Sequence, residues 1–189
     1  MHPVANLLFE ARMLKKIPRT GYPFLGAGAE NVAEHSFLTT FIAYVMAKTV
    51  PEVDALKLIS MCLVHDLPEA RTGDLNYVHK LYGKPDEERA VEDCTRDLPF
   101  GRDMTGLIAE FNQGETLEAR LAYDADQLSF IIDLKALVDT GYIPPRRWLH
   151  SVVKRLKTDT GKSMAEEILR TDQDAWWLKN LVDTSAGKQ

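Results

Sequence analysis

Apolar residues recur at three- and four-residue intervals along nearly the whole chain, and strand-like alternation is missing, so the pattern predicts helices. The first runs from Val4 to about Ile17, with Leu7, Leu8, Met13 and Leu14 in helical spacing until Pro18 stops it. Pro18 to Ala29 carries Gly21, Pro23, Gly26 and Gly28 and reads as a loop. Asn31, with Glu34 three residues on, forms a capping box for a second helix that reaches about Thr49 and ends before Pro51. A strongly apolar third helix spans Asp54 to about His65, and Pro68 opens a short fourth one. After the turn Thr72-Gly73-Asp74 come a charged helix from Asp86 to about Leu98 and another from Arg102 to Phe111. The longest periodic segment, Thr116 to about Val138, has Leu117, Leu121, Leu128, Ile131, Ile132 and Leu134 on its apolar faces and ends at Gly141. Pro144-Pro145 starts a basic helix through Lys157, and a last helix from about Ser163 carries Trp176 and Trp177. The tail from Thr184 is expected to fray. With no repeat or interdomain linker visible, the expected fold is one all-α domain over residues 1–189, its core spanning about 4–182.

Composition narrows the partners. The 189 residues are 45% hydrophobic, ordinary for a globular chain with a real core. A net charge of -5 argues against a nucleic-acid polymer or an anionic membrane as partner, though a few local cations can still hold a small anion. The basic stretch with Arg146, Arg147, Lys154 and Arg155 reads as a solvated or dimer-flanking face. Cys62 and Cys94 make neither a metal-type pair nor a disulfide framework, and Cys62 sits in an apolar run as a reduced core residue. Arg12, Lys15 and Lys16 interrupt the N-terminal apolar stretch, so no signal peptide is expected. The longest apolar candidate, Phe37 to Ala47, is too short to span a membrane. A cytoplasmic protein is the expectation.

The chemistry concentrates at Leu63-Val64-His65-Asp66. A buried helix that finishes on two ionisable residues must satisfy them, and a divalent ion satisfies both at once. Adjacent residues on a helix point about 100° apart, so the pair can bracket one ion only where the helix ends or bends, as Pro68 suggests. Candidate partners are His35, which taken alone reads as a core histidine, and either Asp124 or Asp126, between which the pattern does not choose. Two imidazoles and two carboxylates leave positions open for water, whose pKa such an ion lowers. Glu69 follows Asp66 by three residues and suits a general acid or base. Arg19, in the glycine-rich loop, offers a fork of donors matching phosphate oxygens. His2, His79 and His150 look incidental.

Together these residues resemble the HD-domain phosphohydrolases, and most of all their metal-dependent 5'-deoxyribonucleotidase subgroup. The matching segments are Pro18-Arg19-Thr20-Gly21, Glu30 to Ser36, Val64 to Ala70, Thr72-Gly73-Asp74-Leu75 and Ala125-Asp126-Gln127. The resemblance implies that His35, His65, Asp66 and Asp126 bind the metal, and it prefers Asp126 to Asp124. It assigns Glu69 to the attacking water's proton, Arg19 to the phosphate, and Asp74 to the sugar and its hydroxyl. It further implies a homodimer working with cobalt, manganese or another first-row ion such as nickel, iron or zinc. Where some bacterial members carry a tryptophan beside the sugar, this chain has Thr20, with Tyr22 the nearest aromatic. The function expected is hydrolysis of deoxyribo- or ribonucleoside 5'-monophosphates to nucleoside and phosphate. The alternatives are another nucleotide substrate (a triphosphate, cyclic nucleotide or guanosine tetraphosphate), dinuclear oxygen chemistry, or a nucleotide-binding regulatory domain without catalysis.

Overall fold

The computed structural model describes residues 2–179. Its helices are α1 (Pro3–Met13), α2 (Tyr22–Leu25), α3 (Val32–Thr49), α4 (Ala55–Val64), α5 (Glu69–Thr72), α6 (Tyr77–Tyr82), α7 (Glu87–Thr95), α8 (Gly101–Gln113), α9 (Leu117–Asp139), α10 (Pro145–Val153) and α11 (Asp159–Arg170). The expected all-α architecture is found. Among the described residues, extended pairing is limited to an isolated antiparallel bridge between Pro18 and Asn31.

Side-chain caps decide where the principal helices begin. Asn31 and Glu34 form the full capping box of α3, with Glu34 N–H donating to Asn31 Oδ1 at 3.0 Å and Asn31 N–H to Glu34 Oε2 at 2.9 Å. Asp54 caps α4, Thr116 caps α9 and Thr158 caps α11 more simply, each side chain accepting from the backbone N–H three residues on. The Thr158 cap corrects the expected start near Ser163, because Asp159-Thr160-Gly161-Lys162 belongs to the first turns of α11. That helix also stops at Arg170, so Trp176 and Trp177 lie beyond it in a separate helical stretch over residues 175–179. Likewise α10 ends at Val153, before Lys154 and Arg155. The short helix α2 falls in the segment that reads as a loop, and α6 in a stretch between Asp74 and Asp86 for which no element was expected, both too brief for periodicity to reveal. The tail from Thr184, and the last part of the expected core, lie outside the described residues.

The long helix α9 is central, packing against α3, α4, α8, α10 and α11. It buries Leu121, Leu128, Ile131 and Leu134 against Ile42 and Met46 of α3 and Leu58 and Met61 of α4. Each such side chain contributes about 1.5–3 kcal/mol when withdrawn from water. A second cluster, Leu14, Val32, Leu67, Cys94, Leu98 and Met104, joins the chain after α1 to the base of α3 and to α7 and α8. Because α3, α4 and α9 pack on one another, polar residues on their facing sides converge. Asp124 is the exception: it is fully buried yet accepts from Lys157 N–H at 2.7 Å and from Thr158 N–H and Oγ1 at 2.8 and 2.6 Å. It anchors the start of α11 and is no part of the convergence. A Cβ at Gly161 would fall inside the Asp124 carboxylate, so only glycine lets α11 approach this closely.

Candidate metal centre and active site

Helix α4 ends at Val64, and the backbone tightens there: Leu67 N–H bonds Val64 O at 3.0 Å and Glu69 N–H bonds Asp66 O at 3.0 Å, both three residues apart. The tighter turn brings the neighbours His65 and Asp66 to one side. His65 Nε2 and Asp66 Oδ2 are 3.3 Å apart. His35, in the second turn of α3 and fully buried, places Nε2 3.5 Å from Asp66 Oδ2 and 2.9 Å from Asp126 Oδ1. One ligand atom from each of His35, His65 and Asp126 lies within 4.8 Å of the others. Asp66 joins this group through its contacts with both imidazoles. The four sequence-expected ligands therefore border one centre, with Asp66 touching both imidazoles but standing outside the trio whose atoms all lie within 4.8 Å of one another.

The orientation of each side chain is fixed from behind. His65 Nδ1–H donates to the Cys62 carbonyl at 2.8 Å, which turns the Nε2 lone pair toward the centre. His35 Nδ1 is 3.3 Å from Ser129 Oγ, and Gln127 Nε2 donates to Asp126 Oδ2 at 2.7 Å. Three buried atoms at the centre nonetheless lack any hydrogen-bond partner: His65 Nε2, Asp66 Oδ2 and Glu69 Oε2. Buried polar atoms are costly when unsatisfied. An imidazole lone pair and a carboxylate oxygen aimed into one space fit a divalent first-row cation.

The charges tell the same story. Burial and Arg19 press the His35 imidazolium down, yet Asp126 and Asp66 outweigh them and raise its pKa. Burial opposes the Asp126 carboxylate, but His35, His65 and Arg19 hold it well below the usual range. Burial, then Asp66 and Asp74, pushes the Glu69 carboxyl up to about 9. Burial likewise brings Glu30 to about 7. Carboxylates outnumber local cations here, a surplus that a bound cation offsets. Burial raises the Cys62 thiol too, which keeps it a protonated core residue, and both cysteines are free.

Arg19 borders this centre, its Nη1 3.3 Å from Asp74 Oδ1 and 3.7 Å from Asp66 Oδ2. Asp74 is gripped by the same segment: Thr20 N–H donates to its Oδ2 at 2.6 Å and Thr20 Oγ1 lies 3.0 Å from that oxygen. Asn76, the cap of α6, donates to Thr20 O at 3.2 Å. Sequence reasoning did not single out Glu30, Ser129 or Asp133 for chemistry, nor the hydroxyl of Tyr22. The available signal was a polar stripe on α9, since Ser129 and Asp133 follow Asp126 by three and seven residues on the same face. His2, His79 and His150 lie on exposed positions away from the ligand cluster.

Comparison with known proteins places this geometry. The 5'-deoxynucleotidase HDDC2 of Dictyostelium discoideum is 29% identical over 131 residues, which cover 63% of this chain and 69% of that protein. A conserved hypothetical protein from Pyrococcus furiosus is 28% identical with a TM-score of 0.76, over 88% of this chain and 99% of the other. A predicted metal-dependent phosphohydrolase from Magnetospirillum magnetotacticum has the same fold, with a TM-score of 0.70 at 22% identity over 88% of this chain and 92% of its own. The HD domain family matches residues 11–169, most of the chain and every residue of the centre described above, and the chain belongs to that family.

Proposed function

We propose that the protein, acting as one HD-type domain, hydrolyses nucleoside 5'-monophosphates, deoxy forms among them, to nucleoside and phosphate. The observation that carries the reading is the set of buried, unpartnered atoms on His65, Asp66 and Glu69, set beside the His35–Asp126 contact. His35, His65, Asp66 and Asp126 would hold a divalent ion, with cobalt and manganese foremost and nickel, iron and zinc as further candidates. When bound, such an ion lowers the pKa of water and offsets negative charge on phosphoryl oxygens.

The chain's own groups supply the rest. Arg19 binds the phosphate and stabilises charge as the phosphorus–oxygen bond to the nucleoside breaks. Glu69 is raised by burial and by Asp66 and Asp74 but is ionised once a held cation offsets those charges. Its Oε2 would then take the proton of the attacking water and return it to the departing nucleoside oxygen, which balances the hydrolysis. Asp74 braces Arg19 and, with lone pairs to spare on a carboxylate, accepts from the sugar hydroxyl. The name of the Dictyostelium relative supports a deoxynucleotide monophosphate as substrate. We further propose a homodimer, supported by the exposed ladder Phe37, Phe41 and Tyr44 along α3, whose neighbouring rings lie 6.4 and 6.2 Å apart. No helix among the described residues is long and apolar enough to cross a membrane.

The test is phosphate release from a panel of deoxyribo- and ribonucleoside 5'-monophosphates, with triphosphates and cyclic nucleotides as comparison, each with cobalt, manganese, nickel, iron and zinc. Monophosphate hydrolysis that chelation abolishes and an added ion restores is expected. A protein that turns over only polyphosphates or cyclic nucleotides, or none of the panel, overturns the proposal.

A further inference from the structure

Glu30 has no part in the chemistry described so far, yet it is buried against two of the principal residues. Its carboxylate is 8% exposed, with Oε2 3.8 Å from Arg19 Nε and 4.0 Å from His35 Nδ1. The same oxygen is 3.3 Å from the Tyr22 hydroxyl. That hydroxyl has a single proton and its shorter bond is to Asp133, so Glu30 is left facing the guanidinium and the imidazole. The backbones are clasped as well: Arg19 N–H donates to Glu30 O at 2.9 Å and Val32 N–H to Ile17 O at 3.0 Å. Glu30 therefore cannot drift away from Arg19 without opening the bridge at the base of α3.

Arg19 is bracketed by acids on opposite sides. Glu30 sits at Nε, while Asp74 and Asp66 sit at Nη1, 3.3 and 3.7 Å away. Nη2 makes none of these contacts. Asp66 and Asp126 attract the guanidinium toward the centre, where it would compete with a cation for the same carboxylate oxygens. Glu30 opposes that pull from outside.

We propose that Glu30 is a positioning residue that holds Arg19 out of the cation site and turns its free edge toward the phosphate. The proposal rests on the reading of this site as a phosphomonoester hydrolase in which Arg19 meets phosphate. Two effects should then appear together when the Glu30 charge is removed: weaker phosphate binding, and weaker cation binding because Arg19 falls onto Asp66. The second effect must vanish when Arg19 is absent.

The experiment is a double-mutant cycle of wild type, Glu30→Gln, Arg19→Ala and the pair, titrated with Mn(II) alone and, in the manganese-loaded state, with inorganic phosphate. The KM and kcat of the best monophosphate are measured alongside. Glu30→Gln is expected to weaken manganese binding about tenfold, to weaken phosphate binding and raise KM about tenfold, and to change kcat less than about threefold. The double variant should bind manganese as tightly as Arg19→Ala alone. Manganese affinity within twofold of wild type in Glu30→Gln overturns the proposal, as does an additive loss that persists in the double variant. Should Glu30→Gln fail to fold, Glu30→Asp, which keeps the charge on a shorter arm, is expected to show the same split at smaller size, and wild-type values there overturn it. If wild type neither releases phosphate from monophosphates nor binds phosphate, the functional reading fails, while the manganese cycle still decides whether Glu30 restrains Arg19.

Discussion

Asp124 and Asp126 stand two residues apart on one helix, and the structure assigns them opposite tasks that substitution can separate. Two residues correspond to about 200° of helical rotation. Asp126 thus faces His35, 2.9 Å away, while Asp124 faces the backbone entering α11. Replacing Asp124 with asparagine preserves shape but turns one oxygen into a donor. Either choice leaves a backbone N–H, Lys157 at 2.7 Å or Thr158 at 2.8 Å, opposed by another N–H. An orphaned buried donor costs about 1–3 kcal/mol, and the surviving bonds lose their charge assistance, so the total is about 3 kcal/mol. For a chain of this size that lowers the melting temperature by about 6–12 °C. Asp126→Asn also removes a carboxylate that, against burial, His35, His65 and Arg19 hold ionised in the ion-free protein, so it too lowers the melting temperature. Its distinguishing effect is cation binding weakened more than about 100-fold, beyond the 10–100-fold seen on losing mere supporting groups. Thermal unfolding by circular dichroism in chelator, paired with calorimetric cation titration, reads both effects. An Asp124→Asn protein that melts within about 2 °C of wild type, or that loses cation affinity as Asp126→Asn does, would refute the assignment.

Further outcomes follow from the same geometry. Glu69→Gln should keep cation affinity and lose about 100- to 10,000-fold in kcat, the usual contribution of a positioned acid or base, and unchanged turnover contradicts its role. Gly161→Ala pushes a methyl into the Asp124 carboxylate and should destabilise by about 1–3 kcal/mol in urea unfolding, whereas a neutral result would mean α11 can move aside. Hydrogen bonds from Lys57 and Thr116 lower the Glu110 carboxyl, tying α4 and α8 to the start of α9. A lowered folded-state pKa gives stability that is present above the unfolded carboxyl value and lost as pH falls through the folded one. Glu110→Gln should therefore cost about 0.5–1 kcal/mol at pH 7 and almost nothing near pH 2, and an equal cost at both pH values counts against the pairing.

What could be read from the chain follows the range of the forces involved. The capping box at Asn31 and the apolar spacing of α9 are local signals, visible within one or two turns, and both stand as read. The convergence of His35, His65 and Asp126 is not local; the pattern could name His35 as a partner but left Asp124 and Asp126 tied, and only the family motif preferred Asp126 before the packing of α3, α4 and α9 brought the three together. Thr158 went unread as a cap because glycine in the turn that follows it usually marks a loop, and here serves close approach to Asp124 instead. Glu30 escaped notice because beside a capping asparagine an acidic residue looks like ordinary helix-start charge. Its partners, Arg19 and Tyr22, lie in a segment that periodicity cannot describe.

The bridge between Pro18 and Asn31 has a consequence for how such a protein can change over time. It closes residues 19–30 into a loop whose two ends are fastened together, with Tyr22 and Leu25 rooted in the core and Gly26 at an exposed, left-handed turn (φ 73°). Lengthening a closed loop at its tip costs little entropy and leaves its fastened ends where they are. Insertions near Gly26 would therefore reshape the cavity that this loop lines together with Arg19 and Thr20, while Arg19 keeps its place beside Asp66 and Asp74. Substrate range becomes the adjustable part of the protein and the hydrolytic centre the inherited part, separated by a clasp of a few backbone hydrogen bonds.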